Sequence, residues 1–520
     1  MATVPTAGRI RSEPRINSDR VSRREFLKSA ATAGVELCLA GSALANTPST
    51  SVTGPASPSP SSPSTRKKIV VAGAGISGLC CAYELMRRGH DVVVLEASGR
   101  HGGHVFTGRD GLSDGLYADF GADHITRPGY ETFFRYVAEF ALDVVPYPHA
   151  EGSTAAPGAH VLRQIDGTFY SEEMLADRTV LKRLGFNDAE ARFLSANAWN
   201  DLPRLFLQSH LGKFIDESHP FGVGHDELDK ISVAAFYANQ GASPAALRFL
   251  GGQDESALFS LWRLAVMGFR GIPWSEGDTF RLKGGNQQLP TAFATRLGDR
   301  VRLKHPIVGI TRDDSGVSIR YNAYGYEDER EMAADVLVNC MPLSIFRTLP
   351  LRPALSPGMQ YIVDNLGFTS HPFYVFEAGS KFWIDDGFAS VNMEFEHPDI
   401  SSVWQVPSEM DTNRVLLKAF APGGVSAQRG LAAFRAVYPG KRDTIVQSLT
   451  FDWTRDRYAP SCEMLAFPIG EMDKFWPRLM HPDGRIYFAG TFADPLSRGM
   501  ESCLRAARRV AIEVDALGAP

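Results

Sequence analysis

The stretch VVAGAGISG, residues 70–78, decides how the rest of the chain is read. The β-branched run from Lys67 to Ala72 has the texture of a buried strand. Gly73, Gly75 and Gly78 then follow at the spacing of a dinucleotide cradle. The first glycine permits a tight turn, the second lets a pyrophosphate approach the backbone, and the third lets a helix pack closely on the strand. The spacing predicts a helix from Ile76 to Arg88, closed by Gly89, with Ile76 and Ser77 in the turn that faces the phosphates. Asp91 to Leu95 reads as a second strand, and Glu96 and Ala97 stand at its end. A carboxylate about twenty residues beyond such a turn meets ribose hydroxyls. A lone glycine turn is a weak signal. Strand, turn, helix, strand and terminal acid in sequence make a βαβ unit of a doubly wound sheet, and hence a nucleotide site.

The remaining composition narrows the class. The chain has 520 residues and a net charge of −5, enough for more than one domain and without the basic excess of a nucleic-acid groove. Its six cysteines, at 38, 80, 81, 340, 462 and 503, form no CxxC, so neither a thiol redox pair nor a compact metal site is indicated. No Gly-x-Ser-x-Gly elbow suggests a hydrolase. Ser22-Arg23-Arg24-Glu25-Phe26-Leu27-Lys28, followed by a mildly apolar run from Ala30 to Ala43, resembles a twin-arginine export signal, with Ala43-Leu44-Ala45 as a cleavage site. That run is too short and weak for a stable membrane span. A signal peptide over 1–45 and a Pro/Ser-rich linker over 46–65 are expected, and then a periplasmic or secreted body.

Beyond residue 125 the texture becomes helical, notably over Gly129 to Glu139 and Val233 to Leu264, with a hairpin expected at Val161 to Phe169. Strand-like texture returns over 301–350 and again at Ile486 to Gly490, and a last helix is expected over Glu501 to Ala511. The fold class is therefore α/β. A doubly wound nucleotide-binding domain is assembled from the discontinuous segments 66–125, 281–350 and 452–520. Residues 126–280 and 351–451 form a mixed substrate domain with a sheet and a helical portion.

Five landmarks resemble the flavin-containing amine oxidase superfamily: VVAGAGISGLCCAYEL with Glu96, GRHGGHVFT at 99–107, KGGNQQLPTAFA at 283–294, DWTRDRYAPSC at 452–462, and IYFAG at 486–490 with ESCLRAARRVA at 501–511. LYADFGADHI at 116–125 and KFWIDDG at 381–387 are similar to the L-amino acid oxidase branch. The resemblance implies FAD. Gly73, Gly75, Ile76, Ser77, Gly78, Glu96 and Ala97 would hold its adenosine and pyrophosphate end, together with Arg100, Gly102, Gly103 and His104. Val308 would lie near the adenine through its backbone. Gly121, Ala122, Asp123, Trp453, Gly490, Thr491, Gly499, Met500 and Glu501 would surround the ribityl chain and flavin. The implied partners are a small amine or amino acid and dioxygen, without a metal; a homodimer is left open.

The resemblance has four departures. His104 replaces the second arginine of the family's Arg-x-Gly-Gly-Arg run. His124 stands near the place of a carboxylate-binding arginine and has no bidentate fork, so it is a candidate for orienting substrate or assisting proton transfer. The family's central-strand lysine, which holds a water beside flavin N5, falls on Phe373, and no lysine lies between Leu366 and Ser380. The aromatic residue before the last helix is missing, and Arg498 becomes a candidate carboxylate partner. The implied reaction is two-electron oxidation of a carbon–nitrogen bond by hydride transfer, imine hydrolysis, and reoxidation by dioxygen with release of peroxide. A dehydrogenase or desaturase-like flavoenzyme with another acceptor is the alternative that the missing lysine permits, and a non-enzymatic flavoprotein is a third.

Overall fold

The computed structural model describes residues 66–147, 161–272, 278–325, 328–421, 423–461 and 464–518. The expected export signal and linker, and Cys462, lie outside them. Five parallel strands make the central sheet, in the spatial order Val301–Arg302, Asp91–Leu95, Lys68–Ala72, Val336–Asn339, Ile486–Phe488. Both faces of this sheet are covered, which is why its strands are near-continuous runs of Val and Ile. Three separated stretches of sequence contribute strands, and the βαβ unit forms as read, with the helix at Ile76–Arg87. The last helix, Gly499–Ala516, packs directly on it; small residues at Cys80, Cys81, Ala506 and Ala507, all fully buried, allow the close approach.

Residues 301–350 only partly rejoin this sheet. Ile307–Arg312, Val317–Asn322, Glu329–Ala334 and Leu351–Arg352 form a separate four-stranded sheet. The reason is legible in Val317–Asn322, whose side chains alternate between buried and half-buried, as in a sheet with one wet face.

The second large layer is a seven-stranded sheet running Ile445–Asp452, Pro372–Ala378, Val415–Phe420, Ile400–Val406, Asn392–His397, Leu162–Ile165, Thr168–Tyr170. The expected hairpin at 161–169 thus forms, turning at Asp166-Gly167, and adds to this sheet's edge. The helical stretch at 233–264 is three helices, Val233–Asn239, Pro244–Leu250 and Ala257–Phe269. Each starts at a serine whose hydroxyl accepts a first-turn N–H: Ser232 from Ala235, Ser243 from Ala246 and Ser256 from Phe259. Apolar periodicity ran through these breaks because all three helices face the same core. A long cavity lies where the parallel sheet, the seven-stranded sheet and the last helix converge.

Candidate active site

The cavity begins at the glycine turn. Gly75 is the N-cap of Ile76–Arg87 and offers no side-chain cap, and no acid occupies the first turn. The first-turn N–H groups are therefore available to an anion, and the helix dipole favours one. A Cβ at Gly78 would lie 2.0 Å from the Gly73 carbonyl oxygen, so only glycine lets the helix sit this close to the turn. Gly102 N–H donates to the Ala74 carbonyl at 2.8 Å, clamping the second glycine run onto the first. The Glu96 carboxylate accepts from the N–H groups of Ala74 (2.7 Å) and Ser98 (2.8 Å), which fixes it at the end of its strand. Arg100 donates to the Gly103 carbonyl at 2.8 Å, with its guanidinium over the Phe106 ring at 4.8 Å; burial lowers its pKa. An uncapped helix start, a cradle that a Cβ would fill and a fixed terminal acid together fit a dinucleotide.

Most of the sequence-predicted residues meet in this one space. Gly73, Gly75, Ile76, Ser77, Glu96, Ala97, Arg100, Gly102, Gly103 and His104 line one end. Gly121, Ala122, Asp123, His124, Phe373, Gly490, Thr491, Arg498, Gly499 and Met500 continue it. Four expected contacts are placed elsewhere. Gly78 lies behind the turn. Ile307, not Val308, reaches the cavity, because the strand ladder slips between Ile307 and Gly309 and takes Val308 out of the alternation. Trp453 is fully buried beneath the wall: its indole N–H donates to the Phe120 carbonyl at 2.6 Å and its ring lies 4.2 Å from that of His104. Glu501 turns away from the cavity. Its oxygens accept the N–H groups of Thr132 (3.0 Å) and Phe133 (2.9 Å), so it caps the helix Glu131–Glu139.

The cavity also carries buried histidines. His104 and His371 both line it, and burial, with the nearby cations, pushes their pKa values down to about 3 and about 4, so both are neutral imidazoles. Phe373 occupies the strand position where a lysine was implied, but a lysine arrives from the neighbouring strand. Lys418, paired across the sheet with Val375, is completely buried, with Nζ 4.0 Å from the centre of the Phe373 ring and 2.8 Å from Asp123 Oδ2. Another aromatic residue, Tyr130, lines the cavity near the start of the last helix. A Cβ at Gly499 would sit 2.4 Å from the Tyr130 hydroxyl, so the glycine leaves room for a tyrosine reaching in from another segment. Arg498, half-buried, lines the cavity next to it, and desolvation lowers its pKa to about 10.

A family model described as flavin containing amine oxidoreductase matches residues 76–515, which hold all of the cavity's lining except Gly73 and Gly75. The chain belongs to that family. It is 22% identical over 473 residues to an L-amino-acid oxidase of Vipera ammodytes ammodytes, covering 86% of this chain and 93% of that one. It is 23% identical over 458 residues to an L-amino acid dehydrogenase of Synechocystis sp., covering 83% and 91%. The fold is similar to that of putrescine oxidase bound to putrescine, with a TM-score of 0.71 at 18% identity, covering 87% of this chain and 99% of that one. The chain is thus a flavin-dependent amine oxidoreductase, and a flavin held on a dinucleotide cradle is FAD.

Sequence reasoning assigned no role to several residues that line the amine oxidoreductase cavity, among them Tyr130, His371, Phe420, Asp456 and Tyr458. Asp456 and Tyr458 belong to a quoted motif and were within reach of it. Lys418 carried a signal of its own: a single lysine inside the apolar strand VLLKAF is buried only if something pairs with it. Tyr130 carried none, since its contact with Gly499 depends on tertiary packing. Among the described residues, no helix is long and apolar enough to cross a membrane and no cluster of ligands suits a metal ion.

Proposed function

We propose that this flavoenzyme oxidises the carbon–nitrogen bond of an L-amino acid, with dioxygen as terminal acceptor and hydrogen peroxide as product. The observation that carries the reading is Arg498, a half-buried arginine that lines the cavity at the N-cap of the last helix. A guanidinium at this place offers an amino acid's carboxylate a bidentate, charge-assisted pair. Phe368, Phe373 and Phe420 line the same cavity and suit an apolar side chain. The viper relative, an L-amino-acid oxidase, supports the same substrate class.

When bound, FAD supplies a two-electron acceptor for the hydride of the α-carbon at N5. The chain's own groups hold the carboxylate, press the α-carbon toward one face and exclude water. The substrate must react as the neutral amine, whose lone pair becomes the imine; the imine is then hydrolysed in water. A second reading, an amino acid dehydrogenase with a non-oxygen acceptor, is favoured by Phe373 at the lysine position and by the Synechocystis relative. Lys418, delivering an amine to the same ring from the adjacent strand, supports the oxidase. We also propose export by the twin-arginine route, on the Ser22–Lys28 motif; that route carries folded proteins and suits a buried cofactor acquired before transport.

The test is anaerobic bleaching of the purified yellow holoenzyme with L-phenylalanine, L-leucine, L-glutamate, phenethylamine and putrescine, followed by air. Bleaching by L-amino acids with rapid recolouring is expected; bleaching without recolouring establishes the dehydrogenase. R498A should weaken amino acid binding on the order of 100-fold and leave phenethylamine binding nearly unchanged. Equal losses for both ligands would remove the carboxylate assignment.

A further inference from the structure

Three histidines line the cavity, and one of them, His124, has a carboxylate on its ring. His104 and His371 are packed against aromatic rings, Trp453 for the first and Phe373 and Phe420 for the second, and are held neutral. His124 Nδ1 lies 2.7 Å from Asp123 Oδ1. The other oxygen of that carboxylate, Oδ2, accepts from Lys418 Nζ at 2.8 Å and from the Tyr147 hydroxyl at 3.4 Å. Trp404 Nε1 donates in turn to the Tyr147 hydroxyl at 3.4 Å.

Each link has a chemical consequence. Lys418 is fully buried and Asp123 nearly so, and such a pair persists as ions only because each compensates the other. An ionised carboxylate is an acceptor only, so His124 must present Nδ1–H to it, which makes Nε2 the basic nitrogen of the ring. The loop is rigid on both sides of the aspartate. The Phe120 carbonyl is held by Trp453 and the Ala122 carbonyl by Asn286, at 2.6 Å and 3.0 Å. The next residues, Ile125–Arg127, are paired into a sheet with Asp278–Leu282. A base oriented by an anion, on a fixed backbone, in the wall of a substrate cavity is an arrangement suited to proton transfer.

We infer that His124 is the general base that removes the proton from the substrate's ammonium group, and that Asp123 and Lys418 are positioning residues that fix its tautomer. The inference rests on the amine-oxidising reading above and extends it. The proton balance is simple: the ammonium nitrogen loses one proton, His124 Nε2 gains it, and the amine lone pair is freed before the carbon–hydrogen bond breaks. Lys418 and Asp123 cancel in charge, so the wall beside the site gains a positive charge only while His124 holds the proton. Tyr147, His104 and His371, which face this array, contribute no charge at neutral pH, and behind Tyr147 lie the Arg281 guanidinium, 5.5 Å from its ring, and Asp119, whose carboxyl burial raises to about 6.

The experiment is the pH dependence of anaerobic bleaching, as rate constant over dissociation constant, for the best L-amino acid substrate of the panel. With His124 as acceptor, enzyme plus charged substrate holds the same number of protons as the reacting complex, so the wild-type value is level from pH 7 to 9. In H124N the reacting complex holds one proton fewer, and the value should climb about tenfold per pH unit over that range. D123N should show the same climb, because the ring loses its fixed tautomer. A second readout is independent of turnover: a hydrogen-bonded imidazole N–H proton resonance present in wild type and absent from both H124N and D123N. A uniform fall in H124N with an unchanged slope, or a wild-type value that already climbs tenfold per unit, overturns the inference, as does a resonance that survives D123N. Wild type that no member of the panel bleaches instead overturns the proposed reaction, and the resonance then still decides whether the pair exists.

Discussion

Gly78 gives the sharpest test of the cofactor cradle, because it acts without touching the cavity. A methyl group there would lie 2.0 Å from the Gly73 carbonyl oxygen, 3.1 Å from its carbonyl carbon and 3.3 Å from the Cys340 Cβ. The closest of these atoms are backbone, so no side-chain rotation relieves them; either the helix leaves the strand or the Gly73 turn shifts. Overpacking of this kind costs roughly 1–3 kcal/mol. If the turn absorbs the strain, the same energy is lost from FAD binding, an increase in dissociation constant of roughly 5- to 150-fold. G89A is the matched control. Gly89, unlike the helical Gly78, has a left-handed backbone, φ +88°, and a Cβ there meets nothing within 4 Å. It should cost about 1 kcal/mol of stability through backbone strain and leave FAD affinity alone. The assay is titration of flavin-free protein with FAD, read by quenching of flavin fluorescence, beside urea unfolding of each variant. G78A binding FAD as tightly as G89A would refute the argument that helix-to-turn contact shapes the phosphate site.

Two further outcomes follow from particular groups. E501Q removes one acceptor from the pair of backbone N–H groups at Thr132 and Phe133, and should cost about 1–3 kcal/mol in urea unfolding while leaving the flavin spectrum and affinity unchanged. A fall in flavin affinity at unchanged stability would restore Glu501 to the cofactor site. His371 has its folded pKa lowered to about 4 against about 6.5 unfolded, so below pH 6.5 the unfolded chain binds the proton and the folded chain does not. Its contribution is intact above pH 6.5 and is lost as pH falls toward 4, by up to about 2 kcal/mol between pH 7 and 5. Asp494, raised to about 8 by burial, acts in the opposite sense over pH 4–8. H371Q should therefore lose less stability than wild type between pH 7 and 5, and equal losses in the two proteins would contradict a neutral folded histidine.

The sequence by itself determined the cofactor half of this protein. Its signals are local: Gly73, Gly75, Gly78 and Glu96 lie within one βαβ unit, where spacing along the chain fixes geometry in space. Two of the four expected contacts that lie outside the cavity have local causes. Val308 was displaced by a strand irregularity one residue wide, and Glu501 by a helix end that needed its carboxylate more than the cavity did. The substrate half was decided by tertiary structure. Its groups come from segments that no periodicity links: Asp123 and His124 from a loop, Lys418 from one strand and Phe373 from its neighbour, Tyr130 from the approach to a helix, Arg498 from the start of another. Lys418 lies 4.0 Å from the Phe373 ring and Tyr130 lies against Gly499, near two positions where the chain lacks the implied residue. Cross-strand pairing and close backbone approach can deliver the same chemical group from a different residue, and one-dimensional spacing does not record from where.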